Sequence, residues 1–464
     1  MKKLHIYTIS KKKLKKRTII ITSSILVLYL LVSLYFLNHF FFNTMINGVN
    51  VSLKSYDNVC ETITRRTKEY QLQVKESDGN TEVIKGQDIG LACNPAFSFS
   101  EICNDQKAFG WISSLFKKHN YEETNLFLYN QDYLSGRIDR LNCLNRDITK
   151  SRNAGFQYSD GTYLIIKEIY GNEVDKDKLE RTVKEYIVKG STGLDLKESR
   201  CYIVPEYTAD SEKTIEVKNT LERYISARIT YLFGSKKEIM DGGTINRWAH
   251  VDDGMEAVIS KQSIQNYIKA LSSKYDTVGK ARSFVTSAGK TIEVEGGLYG
   301  WKINRKGEAQ ALTEHILQGA VIEKEPLYSQ KAVSRDENEI GDTYVEISLT
   351  RQMLWFYEDG KLVTSGPVVT GNPNRGNPTV TGIYMLNYKQ KNTSLVGAGY
   401  NVKVSYWMPF FGNIGIHDAG WRNSFGGEIY KRNGTHGCVN APRYLAKAIF
   451  ERIEEGIPII VYKE

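Results

Sequence analysis

From Thr18 to Leu37 the sequence has no charged side chain, and the first charge after that run is Lys54. Residues 1–17 in turn lack any acid, although they hold Lys2, Lys3, Lys11, Lys12, Lys13, Lys15, Lys16 and Arg17. These cations supply most of a formal net charge of +9, so the remaining chain is close to neutral. A near-neutral remainder argues against nucleic acid as a partner, because gripping phosphates needs basic residues on the folded domain. No C-x-x-C pair occurs, which argues against a structural zinc site. Also missing is a small-residue cleavage site after Leu37, where His39-Phe40-Phe41-Phe42 follows instead.

What is present at the N-terminus is a membrane signal. Twenty uncharged residues in a helix span about 30 Å, the thickness of a bilayer's hydrocarbon. The cations all precede them, so the positive-inside rule predicts a single-pass cell-membrane protein with its N-terminus in the cytoplasm. Residues 1–17 read as a basic cytoplasmic tail and 18–42 as a transmembrane anchor, with everything after about residue 43 extracellular. Disulfides are permitted there. Setting Cys438 aside leaves Cys60, Cys93, Cys103, Cys143 and Cys201, an odd number, so at least one stays free or pairs between chains. Their pairing and the oligomeric state are not legible.

The rest divides by pattern. Residues 43–200 read as an α+β module, with a helix near 59–67 and a hairpin in which Tyr70–Val74 and Glu82–Ile84 flank Asp78-Gly79-Asn80. A related order returns in 201–322. Val217, Leu221 and Ile225 share a helix face, strands follow at 228–233 and 238–240, and Ile264, Ile268 and Leu271 mark another helix. A second hairpin is expected where Arg282–Thr286 and Thr291–Val294 flank Ala288-Gly289. Residues 323–341, charged and aperiodic with Pro326, read as a linker. From 342 to 464 the alternation at Val345, Ile347 and Leu349 opens a mainly-β sandwich domain, closed by a helix after Pro442 and a last strand at 457–462.

Chemistry concentrates in Ile416-His417-Asp418-Ala419-Gly420-Trp421-Arg422 and Gly434-Thr435-His436-Gly437-Cys438-Val439-Asn440. A cysteine becomes a nucleophile when an imidazole takes its proton and stabilises the thiolate. Gly437 permits an unusual backbone angle, so the N–H groups of His436, Gly437 and Cys438 can converge on a developing oxyanion. His417, His436 and Cys438 would also suffice as three zinc ligands, but no carboxylate base accompanies them, and no metal is expected. Spacing alone does not choose between the two histidines as base.

His417, seventeen residues, then Thr-His-Gly-Cys-Val-Asn resembles the signature of L,D-transpeptidases of the YkuD type, and the resemblance covers residues 342–464. It implies Cys438 as nucleophile, His417 as general base, the Asp418 carbonyl orienting the imidazole, and Thr435, His436, Gly437 and Asn440 in support. Tyr406, Trp407, Trp421 and Arg422 would line the substrate cleft, Arg422 as a partner for stem carboxylates. No cofactor is implied. The implied reaction joins peptidoglycan stem peptides by 3→3 cross-links through a Cys438 thioester, and it makes Cys438 a carbapenem target. Hydrolysis by an L,D-carboxypeptidase of the same fold is the nearest alternative, and an inactive wall-binding anchor a more distant one. Tyr275-Asp276-Thr277, Arg282–Ser287 and Gly296-Gly297-Leu298-Tyr299-Gly300-Trp301 resemble the peptidoglycan-binding domain that precedes many such catalytic domains; the resemblance covers roughly residues 200–320 and extends to residues 47–190, so that the 43–200 module would be of the same kind, and it would add glycan as a partner.

Overall fold

The computed structural model describes residues 2–397 and 400–464, the side chains of residues 2–11, Glu101 and Tyr400 excepted. Met1, the first residue of the expected basic tail, lies outside the described residues. The chain forms two compact units, residues 1–156 with 165–214, and residues 157–164 with 215–464.

The first unit begins with a helix, Lys2–Tyr35, whose Lys12–Tyr35 portion is long and apolar enough to cross a membrane. Its C-terminal end runs into the core of the unit. Phe36, Phe40 and Phe41 are buried, and Phe40 packs among Ile46, Val59 and Ile63. Helix Val59–Glu69 buries Val59, Ile63 and Thr67 at helical spacing. Helix Lys176–Val188 does the same with Leu179, Val183 and Ile187, and its N-cap Asp175 accepts the N–H of Lys178. Between them strand Gln71–Lys75 pairs antiparallel with Thr81–Lys85 and parallel with Gly193–Asp195. The expected hairpin closes through Gly79 at φ +91°. Cys60 and Cys93 form a disulfide, while Cys103, Cys143, Cys201 and Cys438 are free thiols.

The second unit repeats that plan. Helix Glu212–Ile225 leads into strand Arg228–Phe233, which pairs antiparallel with Lys236–Met240 and parallel with Val321–Lys324. In both units the parallel strand comes last and follows a helix, here Arg305–Gln318. Helix Lys261–Tyr275 buries Ile264, Ile268 and Leu271 as their spacing predicts. The hairpin forms over Arg282–Val285 and Thr291–Val294.

After it comes the all-β region. A five-stranded sheet runs Lys361–Pro367, Met353–Glu358, Tyr344–Ser348, Pro458–Tyr462, Gly382–Met385. The last strand of the chain is therefore interior, parallel to Tyr344–Ser348 and buried along its whole length. A four-stranded sheet runs Gln390–Gly397, Tyr400–Phe411, Ile414–Asp418, Val439–Ala441. Both sheets and helix Arg443–Phe450 share one core built on Val345, Phe356, Met408, Ile416, Leu445 and Val461.

In the Gly-Gly-Leu-Tyr-Gly-Trp stretch the two aromatic rings are packing elements. Tyr299 is fully buried and Trp301 nearly so, in a cluster with Ile383, Ile460 and Tyr462 of the five-stranded sheet. Gly297 pairs with Ile383, and a Cβ at Gly297 would stand 2.0 Å from the Ile383 carbonyl oxygen. The segment 323–341 carries strand Tyr328–Gln330 and ends on buried Glu339 and Ile340. Glu339 accepts from the Arg282 guanidinium, and its carbonyl accepts from Tyr299.

Candidate active site

Strand Ile414–Asp418 lies beside Val439–Ala441 in parallel register, His417 opposite Asn440. That register places Cys438 just ahead of its strand, where the chain turns, and brings His417 and Cys438 to the wall of one cleft of about 190 Å³. Leu395, Val402, Trp421, Arg422, Thr435 and His436 line the same cleft.

His417 is 4 % exposed. Its Nδ1 lies 3.0 Å from the carbonyl oxygen of Asp418. A carbonyl can only accept, so Nδ1 carries the proton and Nε2 is left with its lone pair. The Asp418 carboxylate points away and accepts the N–H groups of Ser405 and Tyr406, both at 2.8 Å. Burial pushes the imidazole below its ordinary pKa.

Cys438 sits at the end of a clamped loop. Thr435 Oγ1 accepts the Gly437 N–H at 3.0 Å and donates to the Cys438 carbonyl at 2.6 Å. Thr379 Oγ1 donates to the Gly437 carbonyl at 2.7 Å. Asn440 and Val369 exchange two backbone bonds of 2.9 Å. Gly437 has φ +123°, which favours glycine, and a Cβ there would meet Ile414 Cδ1 at 3.0 Å, so that side chain would have to give way slightly. The Cys438 thiol donates to the Asn413 carbonyl at 3.5 Å and accepts the Gly415 N–H, and burial raises its pKa. Burial thus disfavours the charged form of both groups, raising the thiol and lowering the imidazole.

Residues 342–461 match the family model of the L,D-transpeptidase catalytic domain called YkuD. This part of the chain belongs to that family. Residues 82–195 and 208–322 each match a peptidoglycan-binding domain model, so the L,D-transpeptidase domain follows two such modules. Among solved structures, a cysteine-to-serine mutant of the Enterococcus faecium L,D-transpeptidase is 29% identical over 53% of this chain and 98% of that one, with a TM-score of 0.43. The E. faecium catalytic domain acylated by ertapenem is 37% identical over 26% of this chain and 98% of that one, TM-score 0.25. An L,D-transpeptidase from Mycobacterium tuberculosis is 21% identical over 26% and 57%, TM-score 0.24. A search of curated proteins gave no match.

Within the L,D-transpeptidase domain the sequence-predicted residues separate. His417, Thr435, His436, Cys438, Asn440, Trp421 and Arg422 share the cleft. Tyr406 and Trp407 do not line it. Tyr406 packs into the sandwich core against Phe450, and buried Trp407 lies tilted against His417, ring centres 5.8 Å apart. Strand alternation turns Tyr406 to the core face, whereas Trp407, the register partner of His417, lies on the same face as the imidazole and beside it. Gly437 cannot serve as an oxyanion donor, because Thr435 holds its N–H. The N–H of Cys438 makes no hydrogen bond among the described residues. Sequence reasoning missed Asn413, Gly415 and Thr379. None has a motif of its own, and only the strand register brings the first two to the sulfur. Among the described residues no group of side chains is arranged to hold a metal.

Proposed function

We propose that this protein is a membrane-anchored L,D-transpeptidase that forms 3→3 cross-links between peptidoglycan stems, with Cys438 as nucleophile and His417 as base. One observation carries the reading: the Asp418 carbonyl fixes the proton on His417 Nδ1, leaving Nε2 as acceptor at the wall of the cleft that holds Cys438. In the proposed reaction Nε2 takes the thiol proton as sulfur attacks the carbonyl carbon of the third stem residue. The Cys438 N–H supports the oxyanion. Collapse breaks the peptide bond, the imidazolium returns its proton to the leaving amine of the terminal D-residue, and a thioester remains. An acceptor amine then gives its proton to Nε2, attacks the thioester, and releases the thiol.

Two features support anchoring. The apolar helix follows the basic segment, and its end is built into a folded module through Phe36, Phe40 and Phe41, an arrangement that a removable leader would not need. The two peptidoglycan-binding modules support the wall as the place of work.

Intact-protein mass after incubation with a tetrapeptide donor tests nucleophile and substrate together. The expected result is a thioester adduct at Cys438 and a dimeric product with an acceptor stem. Tripeptide alone would mean that water is the acceptor. Cross-linking retained by Cys438→Ala would end the assignment. Acylation of Cys438 by a carbapenem is expected from the same nucleophile.

A further inference from the structure

The segment Ala108-Phe109-Gly110-Trp111-Ile112-Ser113-Ser114-Leu115-Phe116 is apolar and yet turned outward. Phe109, Ile112 and Leu115 are about half exposed, and Phe116 is 86 % exposed. Such a concentration of large apolar side chains on one short element needs a cover. The element itself, a 3₁₀ helix over Ala108–Leu115, meets part of its hydrogen bonding locally. Gly110 N–H donates to the Lys107 carbonyl, Ser113 Oγ to Gly110 and Ser114 Oγ to Trp111, so its serines satisfy its own backbone. That is what a chain must do where water is scarce.

Its position says what the cover is. The segment lies against the apolar N-terminal helix. Tyr29 Oη donates to the Phe109 carbonyl at 2.6 Å, and the Tyr29 ring stacks on Trp111 at 6.0 Å. Phe36 of the same helix region also stacks on Trp111. At a rise of about 1.5 Å per residue, Tyr29 lies roughly 9 Å inside Tyr35, the end of the helix. An element bonded to Tyr29 is therefore level with the outer leaflet when the helix spans a bilayer. Lys107, Lys117 and Lys118 flank the apolar stretch, all exposed, where lipid phosphates would meet them. Aromatic rings between flanking cations are the composition of an interfacial anchor.

We propose that residues 108–116 form a second membrane-contacting element, embedded in the outer leaflet beside the spanning helix, and that Phe109, Ile112, Leu115 and Phe116 enter the lipid. The consequence is a first module held against the bilayer by two elements, unable to swivel on a single tether. This proposal rests on the membrane-anchor reading above, and its test separates the two.

The full chain is reconstituted into phosphatidylglycerol-containing vesicles in which the lipid carries a diazirine in its acyl chain, irradiated, and digested with trypsin. Cleavage after Lys107 and Lys117 releases residues 108–117 as one peptide, and cleavage after Arg17 and Lys54 releases the spanning region as another. Lipid adducts on both peptides are expected. A variant with Phe109, Ile112, Leu115 and Phe116 all changed to Ser should lose about tenfold or more of the 108–117 labelling while the 18–54 peptide stays labelled. Labelling of 18–54 alone in the unmodified protein overturns this proposal and leaves the anchor standing. Labelling of neither overturns the anchor. Absence of lipid adducts on the 108–117 peptide in a protein that sediments as a dimer would make the patch a dimer contact and equally sink the proposal.

Discussion

Thr379 Oγ1 accepts the Gly371 N–H at 2.9 Å and donates to the Gly437 carbonyl at 2.7 Å, so one buried hydroxyl ties the loop before strand Gly382–Met385 to the residue preceding the nucleophile. Thr379→Val keeps the shape and removes both bonds. Leaving a buried N–H and carbonyl unpaired costs about 1–3 kcal/mol, which should appear as a lower melting temperature. Acylation should slow as well, because the loop that aims Cys438 loosens. A variant that loses stability but acylates at the wild-type rate would show that Thr379 does not position the sulfur.

The shifts at the reacting pair set a pH dependence. Burial disfavours the charged form of His417, so the acid limb of activity should fall below the ordinary imidazole pKa of about 6.5. The stability sign follows from proton counting. Below about 6.5 the unfolded imidazole binds a proton that the folded one refuses, so stability rises with pH from the depressed folded pKa up to the unfolded value. Because burial raises the Cys438 thiol, alkylation by iodoacetamide without substrate should be slow near neutrality and speed up with alkali. A rate that is fast and flat between pH 5 and 8 would instead reveal a preformed ion pair.

These residues also show where sequence was enough. The repeat of helix and hairpin is legible because buried positions recur at fixed spacing, as in Val217 and Leu221 or Ile264 and Ile268, whereas the late parallel strands Gly193–Asp195 and Val321–Lys324 are too short to carry such a pattern. His417 and Cys438 are legible because chemistry demands their identities. Tyr406 turns to the core, because which side of a strand faces a cleft depends on register, and register is settled by partners distant in sequence. Thr379, Asn413 and Gly415 act through hydroxyl and backbone groups that ordinary residues supply, so composition gives no signal for them. The packing role of Tyr299 depends on Ile383 and Ile460, far along the chain.

The seam between the second module's hairpin and the five-stranded sheet is the basis of a stability test. Glu346 is fully buried and accepts both the N–H and the hydroxyl of Ser287 together with the Tyr462 hydroxyl. Nearby, Gly297 at φ +80° presses on Ile383. Gly297→Ala therefore meets both a disfavoured backbone angle and a collision with backbone. A loss of at least about 2 kcal/mol is expected from strain and displaced packing. Calorimetry should show one transition moving down in temperature. A thermogram unchanged from wild type would mean that the seam contributes nothing to stability.

Arg422 offers a way to separate binding from chemistry. Nη1 donates to the Asn433 carbonyl at 2.8 Å, Nε is buried without an acceptor, and the side chain lines the cleft beside His417. Burial pulls its pKa below the ordinary guanidinium value, but an arginine remains charged, so the N–H groups left over call for an anion. The tetrapeptide donor of the proposed reaction ends in a free carboxylate on the residue that leaves. Hydrogen bonds to charged groups are worth about 1.5–3 kcal/mol, roughly 10- to 100-fold in affinity. Arg422→Met should raise KM for the tetrapeptide by about that factor while kcat changes little. A donor with an amidated C-terminus should bind wild type weakly and lose almost nothing further in the variant. Equal losses on the two donors would mean that Arg422 shapes the cleft without reading the carboxylate.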